Sequence, residues 1–208
     1  MCMTTEVKIC GMTRAEDVAA ALDAGADYVG FVFYPKSPRA VTADRARRIL
    51  DAQAGPCRAV GVFVNASPTE VERVVRTCAL YAAQLHGREE PAAFADCPVR
   101  LWRAVWPGGG VVRVDPAAWR AERYVVDAAV PGLYGGTGVE ADWNAAAALA
   151  AARPVMLAGG LTPDNVAAAV AAVRPRGVDV SGGVETAPGR KDHAAVRAFV
   201  AQAKQASS

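Results

Sequence analysis

The chain has 208 residues, 52% apolar, 7% aromatic and 21% charged, with a net charge of +2; that suits one domain with a full core and excludes disorder. Its 19 glycines keep no collagen period, and its five cysteines are too few, and odd in number, for a disulfide scaffold. Arginine supplies 19 of the 23 basic residues, but these are scattered and offset by 21 acids, so no nucleic-acid surface is expected.

Short β-type runs alternate with helical patterns along the whole chain. Val7–Cys10 reads as a strand, and Thr13-Arg14-Ala15-Glu16 has capping-box spacing before a helix carrying Val18, Ala21 and Leu22. Tyr28–Phe33 is the second strand, followed by a helix from about Thr42. Arg58–Val64 is the third, and Ser67-Pro68-Thr69-Glu70 opens a helix with Val71, Val74, Val75 and Cys78 as its apolar stripe. Strands at Leu80–Leu85, Arg100–Val105 and Tyr124–Asp127 are separated by a short helix near Pro91–Ala95 and a weak one near Pro116–Glu122. A helix over Asp142–Ala152, a strand at Val155–Leu157 and a helix starting at Thr162-Pro163 follow. The last strand is Gly177–Val180 and the last helix Lys191–Ala203.

Eight strand–helix units without a linker favour parallel strands joined by right-handed crossovers. Their number and even spacing predict a single α/β domain over residues 1–208, a closed (β/α)8 TIM barrel, over an open doubly wound sheet. Met1–Glu6 lacks the charged-then-apolar pattern of a leader, and no apolar stretch reaches a membrane span, so a cytoplasmic protein with free thiols is expected. With only His86 and His193, and no thiol or carboxylate cluster beside them, no metal site is expected.

Active groups in such barrels gather at the carboxyl ends of the strands. Those positions hold Cys10, the Tyr34–Arg39 loop, His86, Asp127, Gly159-Gly160 and Ser181-Gly182-Gly183. Two glycine turns after the seventh and eighth strands let backbone N–H groups converge on an anion, with a helix start adding positive potential, so a phosphate site is expected there. Cys10 reads either as a buried hydrophobe or as a rim thiol able to take a proton, whereas Cys57, Cys78 and Cys97 read as small buried hydrophobes. Asp127 is either a structural partner or an acid–base group, and His86 either caps its strand or contacts substrate. Strand alternation puts Lys8 and Asp179 inside the barrel on neighbouring strands, which predicts an ion pair, because a buried lysine needs a partner. Tyr134-Gly135-Gly136-Thr137-Gly138 reads as a lid over the ligand, and Trp102 and Trp106 as core packing more than as stacking platforms.

The runs Lys8-Ile9-Cys10-Gly11-Met12-Thr13, Gly30-Phe31-Val32-Phe33-Tyr34-Pro35-Lys36-Ser37-Pro38-Arg39 and Gln84-Leu85-His86-Gly87 resemble phosphoribosylanthranilate isomerases. So do Gly61–Asn65, Pro131–Gly138, Leu157–Leu161, Val178–Ser181 and Gly183-Val184-Glu185, in order along nearly the whole chain. The resemblance implies a (β/α)8 barrel that carries out the isomerisation step of tryptophan biosynthesis, without a cofactor, on a phosphorylated sugar, as a monomer or homodimer. It implies Cys10 as general base, Asp127 as general acid and Arg39 as the arginine that holds substrate, through the anthranilate carboxylate. Gly159, Gly160, Ser181, Gly182 and Gly183 match its phosphate site, and Asp179 and His86 are expected beside the substrate. The chain departs from the family where Ser181-Gly182 replaces two serines and where Arg103 stands in place of a lysine on the fifth strand. Such chemistry calls for a thiol pKa below its usual range and a carboxyl pKa above it. The rivals are the sugar isomerase of histidine biosynthesis, or a bifunctional relative, and a catalytically silent barrel that binds a phosphorylated ligand or a protein partner.

Overall fold

A computed structural model describes residues 4–106, 114–127 and 142–206. Eight parallel strands close into a barrel in sequence order: β1 (Glu6–Cys10), β2 (Tyr28–Val32), β3 (Ala59–Phe63), β4 (Ala82–Leu85), β5 (Leu101–Val105), β6 (Arg123–Val126), β7 (Val155–Leu157) and β8 (Gly177–Val180). β8 pairs back onto β1, with Lys8 in register with Asp179. The closed cylinder expected from the sequence is therefore present, and closure leaves no strand edge unpaired.

Helices α1 (Ala15–Asp23), α2 (Ala43–Asp51), α3 (Pro68–Cys78), α4 (Trp143–Ala150), α5 (Val166–Val173) and α6 (His193–Gln205) surround the cylinder. Among the described residues, 3-10 turns stand at Pro91–Phe94 and Pro116–Ala118, where short helices were expected; three or four residues cannot establish an α-helix. Thr42 and Ser67 cap α2 and α3 by accepting from Arg45 N and Glu70 N, and Pro68 sits in the first turn, as the spacing predicts. The capping box expected at Thr13 is absent. The N-cap of α1 is Arg14, and the Thr13 hydroxyl instead donates to Gly189 O at 2.5 Å.

The outer core forms where helix stripes such as Val71 and Val74, or Val196, Phe199 and Val200, cover the strands. A second layer fills the barrel interior with Tyr28, Val60, Ala82, Trp102, Val125 and Met156. Trp102 meets Tyr28 edge-on at 5.0 Å between ring centroids, which makes it core, not a stacking platform. Cys78 is buried as expected, but Cys57 and Cys97 are only half-buried; burial nevertheless pushes the Cys57 thiol up to about 11. No helix among the described residues is long and apolar enough to cross a membrane.

A small antiparallel hairpin, β9 (Glu185–Ala187) and β10 (Arg190–Lys191), lies between β8 and α6. It corrects the expected start of the last helix. Lys191 belongs to the hairpin, and α6 starts at His193 with Asp192 as its cap. The start expected at Thr162-Pro163 also moves, because Asn165 folds back to accept from Thr162 N and α5 opens only at Val166.

Candidate active site at the barrel mouth

The carboxyl ends of the strands surround a cavity of about 360 Å³. Cys10, the last residue of β1, and Asp127, the residue after β6, both line it. Arg39, His86 and Asp179 line it as well, and so do Gly159, Gly160, Ser181, Gly182 and Gly183. The residues singled out in the sequence thus converge on one space, whereas Tyr134–Gly138 fall outside the described residues.

Lys8 and Asp179 form the expected ion pair, Nζ to Oδ2 at 2.7 Å, beneath the cavity floor. Burial works against the charge of Lys8, but the Asp179 carboxylate and Cys10 together more than offset it, leaving the ammonium above its ordinary pKa. Asp179 Oδ1 is buried and has no hydrogen-bond partner among the described residues.

Burial pushes the Cys10 thiol up, against the pull of Lys8 and Lys191, which favour the thiolate. This corrects the expectation of a lowered thiol pKa: a largely buried sulfur loses more from lost hydration, with the Asp179 carboxylate adding to the rise, than two cations return. The sulfur owes its position to Gly30, its register partner on β2. A Cβ at Gly30 would lie 2.6 Å from Cys10 Sγ and 3.1 Å from Lys8 Cε, so only a glycine leaves room for both.

Across the mouth, His86 Nε2 stands 3.3 Å from Asp127 Oδ2. Gln84 Nε2 lies 3.0 Å from His86 Nδ1, and with the amide donating, the neutral ring carries its proton on Nε2, toward the carboxyl group. The β4 end that carries His86 is braced by Arg103, buried on β5, which donates to Leu85 O and Gly87 O at 2.7 Å and to Glu89 at 2.8 Å. Trp106 packs edge-on against the His86 ring at 5.4 Å.

The glycine turns fit an anion. Gly159 and Gly160 hold φ of +84° and +66°, left-handed conformations that L side chains rarely adopt. A Cβ at Gly183 would sit 1.9 Å from Leu161 O, so this glycine allows the turn after β8 to lie against the turn after β7. Gly182–Val184 is a 3-10 turn, and α5 begins six residues beyond Gly160, so the expected helix start directly behind each turn is absent. What remains for an anion is backbone N–H groups and the Ser181 hydroxyl.

Two groups were not foreseen. Glu185 grips Arg39, accepting from Nε at 3.0 Å and from Nη2 at 2.7 Å. Lys191 is buried among Glu185 and the carbonyls of Cys10 and Ser181. The only sequence signal for this hairpin is the Pro188-Gly189 pair, which marks a turn.

A closed eight-stranded α/β barrel with a thiol and a carboxyl group around an anion cradle at its mouth is a (β/α)8-barrel enzyme. The family model for N-(5'-phosphoribosyl)anthranilate (PRA) isomerase matches residues 7–202, and the chain belongs to that family. It is 47% identical over 199 residues to the N-(5'-phosphoribosyl)anthranilate isomerase of Geobacter sulfurreducens, covering 95% of this chain and 98% of the relative. Its fold is similar to that of the Thermus thermophilus phosphoribosyl anthranilate isomerase, with a TM-score of 0.84 and 37% identity over 95% of this chain and 98% of that one. A phosphoribosyl anthranilate isomerase solved with reduced 1-(o-carboxyphenylamino)-1-deoxyribulose 5-phosphate gives a TM-score of 0.80 and 35% identity over 97% of this chain and 99% of that one.

Proposed function

We propose that this single-domain barrel converts N-(5'-phosphoribosyl)anthranilate to the carboxyphenylamino-deoxyribulose phosphate, the isomerisation of tryptophan biosynthesis, with Asp127 as acid and Cys10 as base. The observation that carries the reading is that Cys10 and Asp127 line one cavity together with the glycine turns.

The phosphate sits against the backbone N–H groups of Gly159, Gly160 and Ser181–Gly183, and the anthranilate carboxylate on Arg39. Glu185 occupies the Nε and Nη2 side of that guanidinium, which leaves Nη1 for the substrate. Asp127 gives its proton to the ring oxygen; the bond from that oxygen to the first carbon breaks, and the nitrogen lone pair forms the iminium. The resulting Asp127 carboxylate lies 3.3 Å from His86 Nε2, which makes no hydrogen bond among the described residues and is therefore open to donate to it as its charge forms. Cys10, as thiolate, then takes the proton from the second carbon. The C–H electron pair becomes the double bond of an enolamine and neutralises the iminium. Transfer of the enol proton to the first carbon gives the ketone. Asp179 Oδ1, which has no hydrogen-bond partner among the described residues, accepts from a sugar hydroxyl.

The net change moves hydrogen within one substrate, and the cycle closes when the proton taken by Cys10 passes through solvent and Asp127 is protonated again. Loss of the substrate's fluorescence on mixing with purified protein, run beside the histidine-pathway sugar phosphate, tests the reading. Turnover of the first substrate alone supports it. Turnover of the second alone, or of neither, overturns it.

A further inference from the structure

We propose that Lys191 is a positioning residue that locks the catalytic thiol, the phosphate turn and the substrate-holding arginine into one register. The proposal rests on the site reading above and assigns a function to a side chain that has no direct part in the chemistry.

An ammonium has three N–H donors and no acceptor. Lys191 uses all three on different parts of the mouth: Nζ donates to Cys10 O at the end of β1, to Ser181 O at 3.2 Å after β8, and to Glu185 Oε1 at 2.7 Å. Glu185 passes the constraint on, since its carboxylate grips Arg39 and also accepts from Gly189 N at 3.2 Å. One buried cation therefore joins the strand carrying the base, the turn that binds phosphate and the arginine that binds carboxylate.

The lysine is itself fixed from behind. Its backbone N–H donates at 3.2 Å to Asp17 Oδ2, a fully buried carboxylate on α1, whose Oδ1 lies 2.8 Å from His193 Nε2 on α6. Burial of this kind is costly unless every donor is matched, and here every donor is matched by a site element. A neutral side chain would free the two carbonyls and leave Glu185 with Arg39 and the Gly189 N–H. An arginine presents a planar fork that cannot meet three acceptors around one nitrogen.

Burial lowers the Lys191 pKa against the pull of the Glu185 carboxylate; in its charged form the ammonium also adds positive charge beside the base. The charged groups that act on the Cys10 thiol are Lys8 from β1, Asp179 from β8, Lys191 from β10 and Arg39 from the loop after β2. Of these cations, Lys191 alone also holds the Cys10 carbonyl.

The test uses the full chain and its Lys191→Met and Glu185→Gln variants, with two readouts. The first is the rate at which iodoacetamide labels Cys10, followed by peptide mass spectrometry from pH 7 to 10; it needs no substrate. The second is the split between KM and kcat in the isomerase assay. Lys191→Met is expected to slow Cys10 labelling on the order of tenfold at neutral pH, raise KM and lower kcat. Glu185→Gln is expected to raise KM through Arg39 without slowing the labelling. If Lys191→Met lowers only the melting temperature, with labelling and KM unchanged, the proposal is overturned. If that variant does not fold, an unchanged KM in Glu185→Gln overturns it. A wild-type protein without isomerase activity sinks the functional reading, while the labelling result still decides the brace.

Discussion

Lys8 and Asp179 stand opposite each other on β1 and β8 and meet at 2.7 Å inside the barrel, with the lysine side chain fully buried. The pair closes the cylinder electrostatically where the first and last strands join, beside the Cys10 thiol proposed as the base. Its two members have unequal duties. Lys8 stabilises negative charge on Cys10, whereas Asp179 offers one oxygen to Lys8 and keeps the other for the cavity.

Breaking this pair from one side leaves a buried charge without its partner. Lys8→Met is expected to cost about 3–5 kcal/mol in denaturant unfolding, and the double variant Lys8→Met/Asp179→Leu considerably less. A single variant as stable as wild type would contradict the ion pair.

The thiol itself should titrate high. Burial raises the Cys10 pKa above its ordinary value of 9.0, so the protonated form dominates at neutral pH. Thiolate, read as the rate at which iodoacetamide alkylates Cys10, should grow about tenfold per pH unit below that pKa. The rise should continue past pH 9. A labelling rate flat from pH 6 to 9 would show that the group titrates elsewhere.

Gly30→Ala tests the space around the base. The added methyl carbon would lie 2.6 Å from Cys10 Sγ, so the thiol must move. Displacing a reacting group by about 1 Å costs on the order of 100-fold. That loss should fall on kcat, with KM little changed, because the phosphate and carboxylate contacts lie elsewhere.

The barrel was legible because buried parallel strands and covering helices each leave a periodic trace, and eight such pairs leave few topologies. The Lys8–Asp179 pair was legible for a related reason: strand alternation and barrel closure together fix which residues can meet. The reasoning failed where contacts depend on irregular backbone. Thr13 has the spacing of a cap but donates to Gly189, which is distant in sequence. Lys191 borders a helical pattern and was read into it, although its backbone pairs within a hairpin and its ammonium reaches three site elements. Arg103 stands out in the sequence only as a departure from the family, yet it pins the loop that carries His86. Rim position identifies a thiol, but only the closed cavity reveals that burial outweighs the neighbouring lysines and raises its pKa.

The most direct measurement compares isomerase turnover of wild type with Cys10→Ala and Asp127→Asn, under saturating substrate and with folding verified by melting. Each variant is expected to lose between about 10²- and 10⁴-fold in kcat, with KM changing much less. Turnover near the wild-type value in either one would contradict the assignment of base and acid on which the mechanism stands.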